Sequence, residues 1–417
     1  KIIGNGTTYQ FSVDSSYATA MISGYDPQTT FLSNHVYKTS EGARYRSISG
    51  YTLRAEEPRQ YQFGAIFEFE RGNFNLDGLT MEVDDVHYDN GALMSGNRAI
   101  STDTDGNLTV TNNSYIKLTS NGSVGFATDT NPLGSNDIRE IKNGTDGLIY
   151  STGKGNAAFI LVKEQDNPDK TYKHINDGTI IMDGENSQGF AFSKTSGVDH
   201  NRFITQNVNN GEIVMAGDNG YGFGLGLGRD FKVANSSIDN ASGGSISLLG
   251  NNNIGIVVQS AVSHANNAGT INVAGNNSIG MYSENTSTTM KNTGDINITD
   301  YSKAFTSNNA GTKWLDNKTY AKSNAQKSVG IRTGVAGATI TNDNNINIST
   351  GSENIGAYSS AGTIVNSSNG KINITAGENI GMVADGTGTG TNAGKITATS
   401  NGSIGTISRG TGTMTNT

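Results

Sequence analysis

The chain of 417 residues contains no cysteine and only 4 prolines, and barely a third of it, 34%, is hydrophobic. Without cysteine there are no disulfide staples and no thiolate chemistry. That fits secretion from a eukaryotic cell poorly and export through a bacterial periplasm better. The apolar content is too small for one thick core. No apolar run approaches the roughly 18 residues a membrane-spanning helix requires, and Lys1 does not begin a charged-then-apolar leader, so a mature chain or a fragment is expected. Basic residues number 29 and acidic residues 37, a formal charge of −8. No basic cluster interrupts this balance, so no nucleic-acid partner is expected.

What the chain does have is 55 glycines and short alternating runs of Ile, Val and Leu, which set it apart from disordered sequences of similar polarity. These runs recur. A small residue precedes one apolar run, and a second small residue lies inside the next run, always eleven residues later. The pairs are Ser114/Gly125, Gly147/Ala158, Gly178/Gly189, Gly211/Gly222, Gly244/Gly255, Gly269/Gly280, Thr319/Gly330, Asn345/Gly356, Gly370/Gly381 and Gly394/Gly405. From Gly244 onward the first members are 24 to 26 residues apart, with Gly294 marking a degenerate copy, and from Ser114 to Gly244 they are 31 to 33 apart. A fixed internal distance repeated in this way is the signature of a repeat architecture.

Within a repeat, TINV, KINI or NINI alternates apolar and polar residues as a strand with one inward face. A corner such as AGNN or AGEN supplies residues tolerant of left-handed backbone angles, and SIGMY or NIGMV starts a second strand. Two strands, a corner and a freer third side make one coil. No coil buries its own Ile or Val, so coils must stack. The expected fold is all-β: a parallel β-helix, a solenoid of roughly 25–33-residue coils, eleven of them between Ser114 and Gly405, with corner asparagines laddering amide to amide. Ile279, Ile355, Ile380 and Ile404 hold equivalent places before the second glycine and are expected to form one buried ladder. Thr417 falls between repeats without a capping composition, so the repeat region, residues 110–417, is expected to continue beyond it.

The first hundred residues hold 14 of the chain's 31 aromatic residues. Residues 1–60 therefore read as an aromatic-rich, β-rich N-terminal cap, and residues 60–110 as a transition into the helix.

GENIGMVADG, GNNSIGMYSEN and NAGTINV resemble the passenger repeats of type V secretion autotransporters, most closely the large fusobacterial outer-membrane adhesins. The resemblance covers about residues 60 to 417. It implies a right-handed β-helical passenger, monomeric and non-catalytic, on the cell surface of a Gram-negative bacterium. It also implies tethering to the outer membrane by a C-terminal β-barrel absent from this chain. The implied role is attachment to a host-cell protein receptor or glycan and to partner bacteria, a virulence and coaggregation function. Such repeats carry no family-wide binding motif, so no site residue follows from the resemblance.

β-Helices also host glycan-cleaving enzymes, and some autotransporter passengers are secreted toxins or proteases; these are the alternatives. A nucleophilic serine in a GDSG turn is absent, and His35, His87, His174, His200 and His264 show no HExxH spacing. The acids of the repeats are scattered over turns and do not pair as glycan hydrolysis requires. GYGFGLGLG at Gly220 to Gly228 fits neither a dinucleotide nor a P-loop pattern. The acidic stretches at Glu82–Asp89 and Asp103–Asn107 lack the spacing of a calcium loop and read as solvated turns. No catalytic residue, metal or cofactor is expected.

The extra residues of the longer coils follow the second strand, as LVKEQDNPDKTYKH, SKTSGVDHNRFITQ and GRDFKVANSSIDN. Stacked in register, these segments gather Lys170, Tyr172, His174, His200, Arg202, Phe203, Arg229, Phe231 and Lys232 on one edge. Aromatic and arginine side chains together suit protein or glycan contacts; the alternative is that the aromatics pack inward along lengthened strands. A second candidate is Trp314, the only tryptophan, in the irregular GTKWLDNKTYAKS, where its face suits sugar stacking or plugs the column.

Overall fold

Short strands with one inward side chain in two cannot close a core alone, and the chain resolves this by coiling. A computed structural model describes residues 2–5, 8–11, 36–38, 44–48, 52–56, 65–69, 72–85, 97–102, 108–130, 138–163, 171–194, 204–225, 236–259, 264–305, 315 and 318–417. Among them there is no α-helix; the strands stack side by side in long parallel sheets, a parallel β-helix. They fall into two units, residues 1–206 with 307–314, and residues 207–306 with 315–417.

In the first unit, Ala65–Phe69, Arg98–Thr102, Val124–Thr130, Ala157–Lys163 and Gln188–Lys194 stack in parallel register. The facing strands Gly72–Val83 and Leu108–Leu118 run unbroken apart from a register shift next to Gly78, whose φ of 69° places it in the left-handed region. In the next coils the same span divides into Ile138–Asn143 and Leu148–Ser151, then Thr171–Asn176 and Thr179–Met182. Phe126, Phe159 and Phe190 are stacked inside, with ring centroids 4.9 and 4.7 Å apart. Parallel stacking extends ahead of Ala65, where Val36–Lys38 pairs with the second half of Gly72–Val83. Also ahead of Ala65, hairpins Ile2–Asn5/Thr8–Phe11 and Arg44–Ile48/Thr52–Glu56 each lend one strand, parallel, to Gly72–Val83 and Ala65–Phe69. This occupies backbone groups that would otherwise form an open sheet edge.

Coils of the second unit have three strands, not two. Thr270–Val273, Asp295–Ile298, Asn345–Ile348 and Lys371–Ile374 form one side, and Ile279–Ser283, Val329–Thr333, Ile355–Ser359 and Ile380–Ala384 the next. The side expected to be freer is itself a strand in register, Thr289–Asn292, Thr339–Asn342, Thr363–Asn366 and Thr389–Asn392. Ile271, Ile296, Ile346 and Ile372 fill the interior, fully buried.

The glycine within the second run is required where coils come closest. A Cβ on Gly280 would lie 2.6 Å from the Gly330 carbonyl oxygen and 3.0 Å from Ile296 Cγ2; on Gly356 it would lie 2.7 Å from the Gly381 carbonyl and 2.8 Å from Ile372 Cγ2. These glycines thus present their missing side chain to the core, and so does the residue after each. The sealed column is therefore Ile256, Met281, Ile331, Ala357 and Met382, none more than 1% exposed. This corrects the expected ladder. Ile279, Ile355, Ile380 and Ile404 do stand in register, with Val329 among them; Ile279 and Val329 are buried as expected, at 8% and 9% exposure, but farther along the row Ile355 and Ile380 are only half-buried.

Three residues before each such glycine the backbone turns left-handed, at Asn219, Asn252, Asn277, Lys327, Glu353 and Glu378, with φ between 52° and 59°. Asparagine tolerates this well; lysine and glutamate are held there by the coil at a cost of about 1 kcal/mol each.

A second device is the buried asparagine at the end of the third-side strand. In the second unit Asn209 donates to Asn240 at 2.8 Å, Asn240 to Asn267 and Asn267 to Asn292 at 2.7 Å, and Asn292 to Asn342, Asn342 to Asn366 and Asn366 to Asn392 at 2.8 Å. The first unit has its own run, Asn112 to Asn143 at 3.1 Å and Asn143 to Asn176 at 2.9 Å. The expected amide ladder is continuous at this turn within each unit, while at the left-handed corner a rung joins Asn252 to Asn219 at 3.2 Å.

The irregular coil also differs from expectation. After Ile298 the chain leaves as an antiparallel hairpin, Tyr301–Phe305 with Lys318–Lys322, and re-enters at Val329. The flanking strands ignore the excursion: Asp295–Ile298 pairs directly with Asn345–Ile348, and Ile279–Ser283 with Val329–Thr333. Gly294 and Gly330 therefore belong to one coil. Thr319 lies in the hairpin, its distance to Gly330 is a coincidence, and there is one coil fewer than the spacing implied.

Candidate binding surface

Two of the residues expected on the exposed edge are described, and both are interior. Strand Thr171–Asn176 alternates so that Tyr172, His174 and Asn176 point into the first unit. The guanidinium of buried Arg139 lies 5.6 Å from the Tyr172 ring centroid. His174 Nε2 is 3.0 Å from Thr128 Oγ1, and its ring lies 5.8 Å from that of Phe159. Tyr172 and His174 are thus core residues, because alternation in a strand that closes a coil sends them inward. Lys170, His200, Arg202, Phe203, Arg229, Phe231, Lys232 and Trp314 lie outside the described residues. Of the acidic stretches, Glu82 faces Lys117 at 3.5 Å. Among the described residues no group of three His, Asp or Glu is placed to hold a metal ion.

The surface feature that stands out in the second unit is the inserted hairpin. It folds back over earlier coils, where Lys303 Nζ pairs with Glu212 and the Tyr301 hydroxyl lies 3.3 Å from the other Glu212 oxygen. Its strands interlock through rings and ammonium groups. Phe305 and Tyr320 meet edge to face at 5.5 Å, with Lys303 Nζ 4.8 Å from the Phe305 centroid and Lys318 Nζ 4.9 Å from that of Tyr320. Such contacts add stability beyond area burial and hold the lysine stems in place.

Burial, and then the Glu212 carboxylate, push the Tyr301 hydroxyl from its ordinary 10.0 up to about 12. Above pH 10 an unfolded chain gains by shedding this proton while the fold holds on to it, so the fold loses ground there. The contribution of the protonated hydroxyl is complete below pH 10 and lost as pH climbs toward 12. Alkaline titration followed by tyrosinate absorbance should show late-titrating tyrosines that ionise only with unfolding, and Glu212→Gln should bring one of them back toward 10.0.

Tyr282, Arg332 and Tyr358 are neighbours that the sequence alone does not single out. The signal for them is a position two residues beyond the second-run glycine, informative only once the coil register is known.

No protein-family model matches the chain, and no curated protein or solved structure matches it either.

Proposed function

We propose that this chain is a non-catalytic attachment module, the passenger of a type V autotransporter adhesin. It would stand outside the outer membrane of a Gram-negative bacterium, bind a protein receptor or glycan on host cells, and bind partner bacteria. The repeats quoted above carry the family part of this reading. The attachment part is supported by one observation above others. The coil interior is committed to packing through isoleucine columns and an asparagine ladder, and among the described residues a long departure from the repeat is an outward hairpin rich in lysine and aromatic residues. A scaffold that spends its irregularity on its outside is suited to contact.

Beads coated with the purified chain should attach to epithelial cells and to partner bacteria. Joining Asp300 to Ser323 through two glycines, in place of the hairpin whose ends Tyr301 and Lys322 face each other, should preserve the β spectrum and lower attachment several-fold. Wild-type beads that attach no better than uncoated ones would refute the adhesin reading. Full attachment by the shortened chain would move the contact off the hairpin.

A further inference from the structure

Side by side on strands Ile279–Ser283, Val329–Thr333 and Ile355–Ser359 stand Tyr282, Arg332 and Tyr358, paired in register. The Arg332 guanidinium carbon lies 5.4 Å from one tyrosine centroid and 5.5 Å from the other, so the group is sandwiched between two rings. Its Nε is buried and has no hydrogen-bond partner, and no carboxylate among the described residues pairs with the guanidinium. The acids beside the ladder are already engaged. Glu284 accepts from the Tyr282 hydroxyl and, at 2.7 Å, from Gln259 Nε2; Asp385 accepts from the Tyr358 hydroxyl at 3.2 Å and from the Gly386 amide at 2.8 Å. Two residues beyond Arg332 stands Gly334, where even a Cβ would come within 3.0 Å of the Tyr282 hydroxyl. Gly334 itself places no side chain over that hydroxyl.

A guanidinium offers five N–H donors in a planar fork that matches a carboxylate. Stacked rings pre-organise it, so less freedom is lost when a ligand arrives. The surroundings narrow the ligand. Glu284 and Asp385 oppose a polyanion such as a sulfated glycan or an acidic peptide, yet their oxygens and the tyrosine hydroxyls suit the hydroxyls of a sugar. Arg409, exposed, occupies the place after Ser408 on the next coil and is near enough to act on the Tyr358 hydroxyl. One unsatisfied cation among hydroxyl-binding groups fits a polyol that carries one carboxylate.

We propose that Arg332, clamped between Tyr282 and Tyr358, is the centre of a sugar subsite that takes the carboxylate of a sialic or hexuronic acid. This rests on the attachment reading and names a ligand class for it.

The test is titration calorimetry on the whole chain with sialyllactose, an unsulfated hyaluronan tetrasaccharide, lactose and a heparin tetrasaccharide. Sialyllactose or hyaluronan should bind, lactose should not, and heparin should bind no better than either. Binding of only the first would point to a terminal sialic acid, and of only the second to an internal uronic acid. Arg332→Gln should weaken binding at least tenfold. Arg332→Lys, which keeps the charge but not the fork, should weaken it severalfold, and both variants should be compared at wild-type thermal stability. Should Arg332→Gln fail to fold, the ligand-induced shift of the Arg332 Nε–H resonance in the wild-type chain decides. Absence of binding to both acid sugars, equal binding of lactose, stronger binding of heparin, an unaffected Arg332→Gln or an unmoved Nε–H resonance would each overturn the proposal. Bead attachment is read separately. Attachment without acid-sugar binding defeats the subsite alone, whereas acid-sugar binding without attachment defeats the adhesin reading alone.

Discussion

Met382→Asp should open the coils on either side of it, while Ile380→Asp, two residues earlier in the same strand, should leave them closed. Met382 is fully buried, and its in-register neighbours Ala357 and Thr406 offer no cation. An unpaired carboxylate there costs about 3–5 kcal/mol, or forces the side chain to stay protonated. Ile380 is half-buried at the rim, where an acid reaches water, and the expected loss is about 1 kcal/mol. Because each coil touches only its neighbours, damage from Met382→Asp should stay local. Limited proteolysis should show new cuts between about residues 345 and 417 and few before Gly244. Equal protection of the two variants would show that the glycine does not shift the inward face.

Asn267→Ala should be the most damaging loss of a single polar side chain in the second unit. Asn267 accepts from Asn240 at 2.7 Å, donates to Asn292 at 2.7 Å, and donates to the Asp295 carbonyl at 3.3 Å, all within the coil wall. Its removal strands the oxygen of the fully buried Asn292. A buried polar atom left without its partner costs about 1–3 kcal/mol, and the cavity adds to it. Asn272→Ala is the control. It sits in a half-buried outer row, bonded to Ser247 and Asn297 at 3.3 Å each, and should cost less than about 1 kcal/mol. Hydrogen exchange should accelerate in the coils holding Asn240 and Asn292 for the first variant and hardly change for the second. Similar exchange in both would mean that the inner ladder adds no more than the outer row.

The coil was readable because its constraints are local. A glycine that must admit a neighbouring carbonyl, an asparagine that must turn left-handed and a run alternating with period two each leave a mark at fixed spacing. Two things were not readable, each for its own reason. The inward face was misplaced because Gly280 and Met281 both face the core, which breaks a count that assumes strict alternation. The coil number was overcounted because the hairpin at Tyr301–Lys322 is nearly as long as a repeat, so Thr319 fell where an anchor was due. Tyr172 and His174 follow the second of the two readings open to the long segments, aromatics packed inward, because the end of such a coil is a strand closing the core. Arg332 escaped notice for a different reason: its surroundings are built by residues 50 and 26 positions away, and only register brings them together.

The hairpin's manner of entry has a further consequence. Because Ile298 and Val329 keep their places whether or not a chain loops out between them, the solenoid treats the span from Tyr301 to Lys322 as a passenger of its own. The ends of that span are cross-strand neighbours, roughly 5 Å apart. Any small fold whose termini meet at that distance fits the same opening, so this coil is a natural grafting port, where an epitope, an enzyme or a fluorescent reporter is spliced in while the rods of isoleucine on either side continue undisturbed.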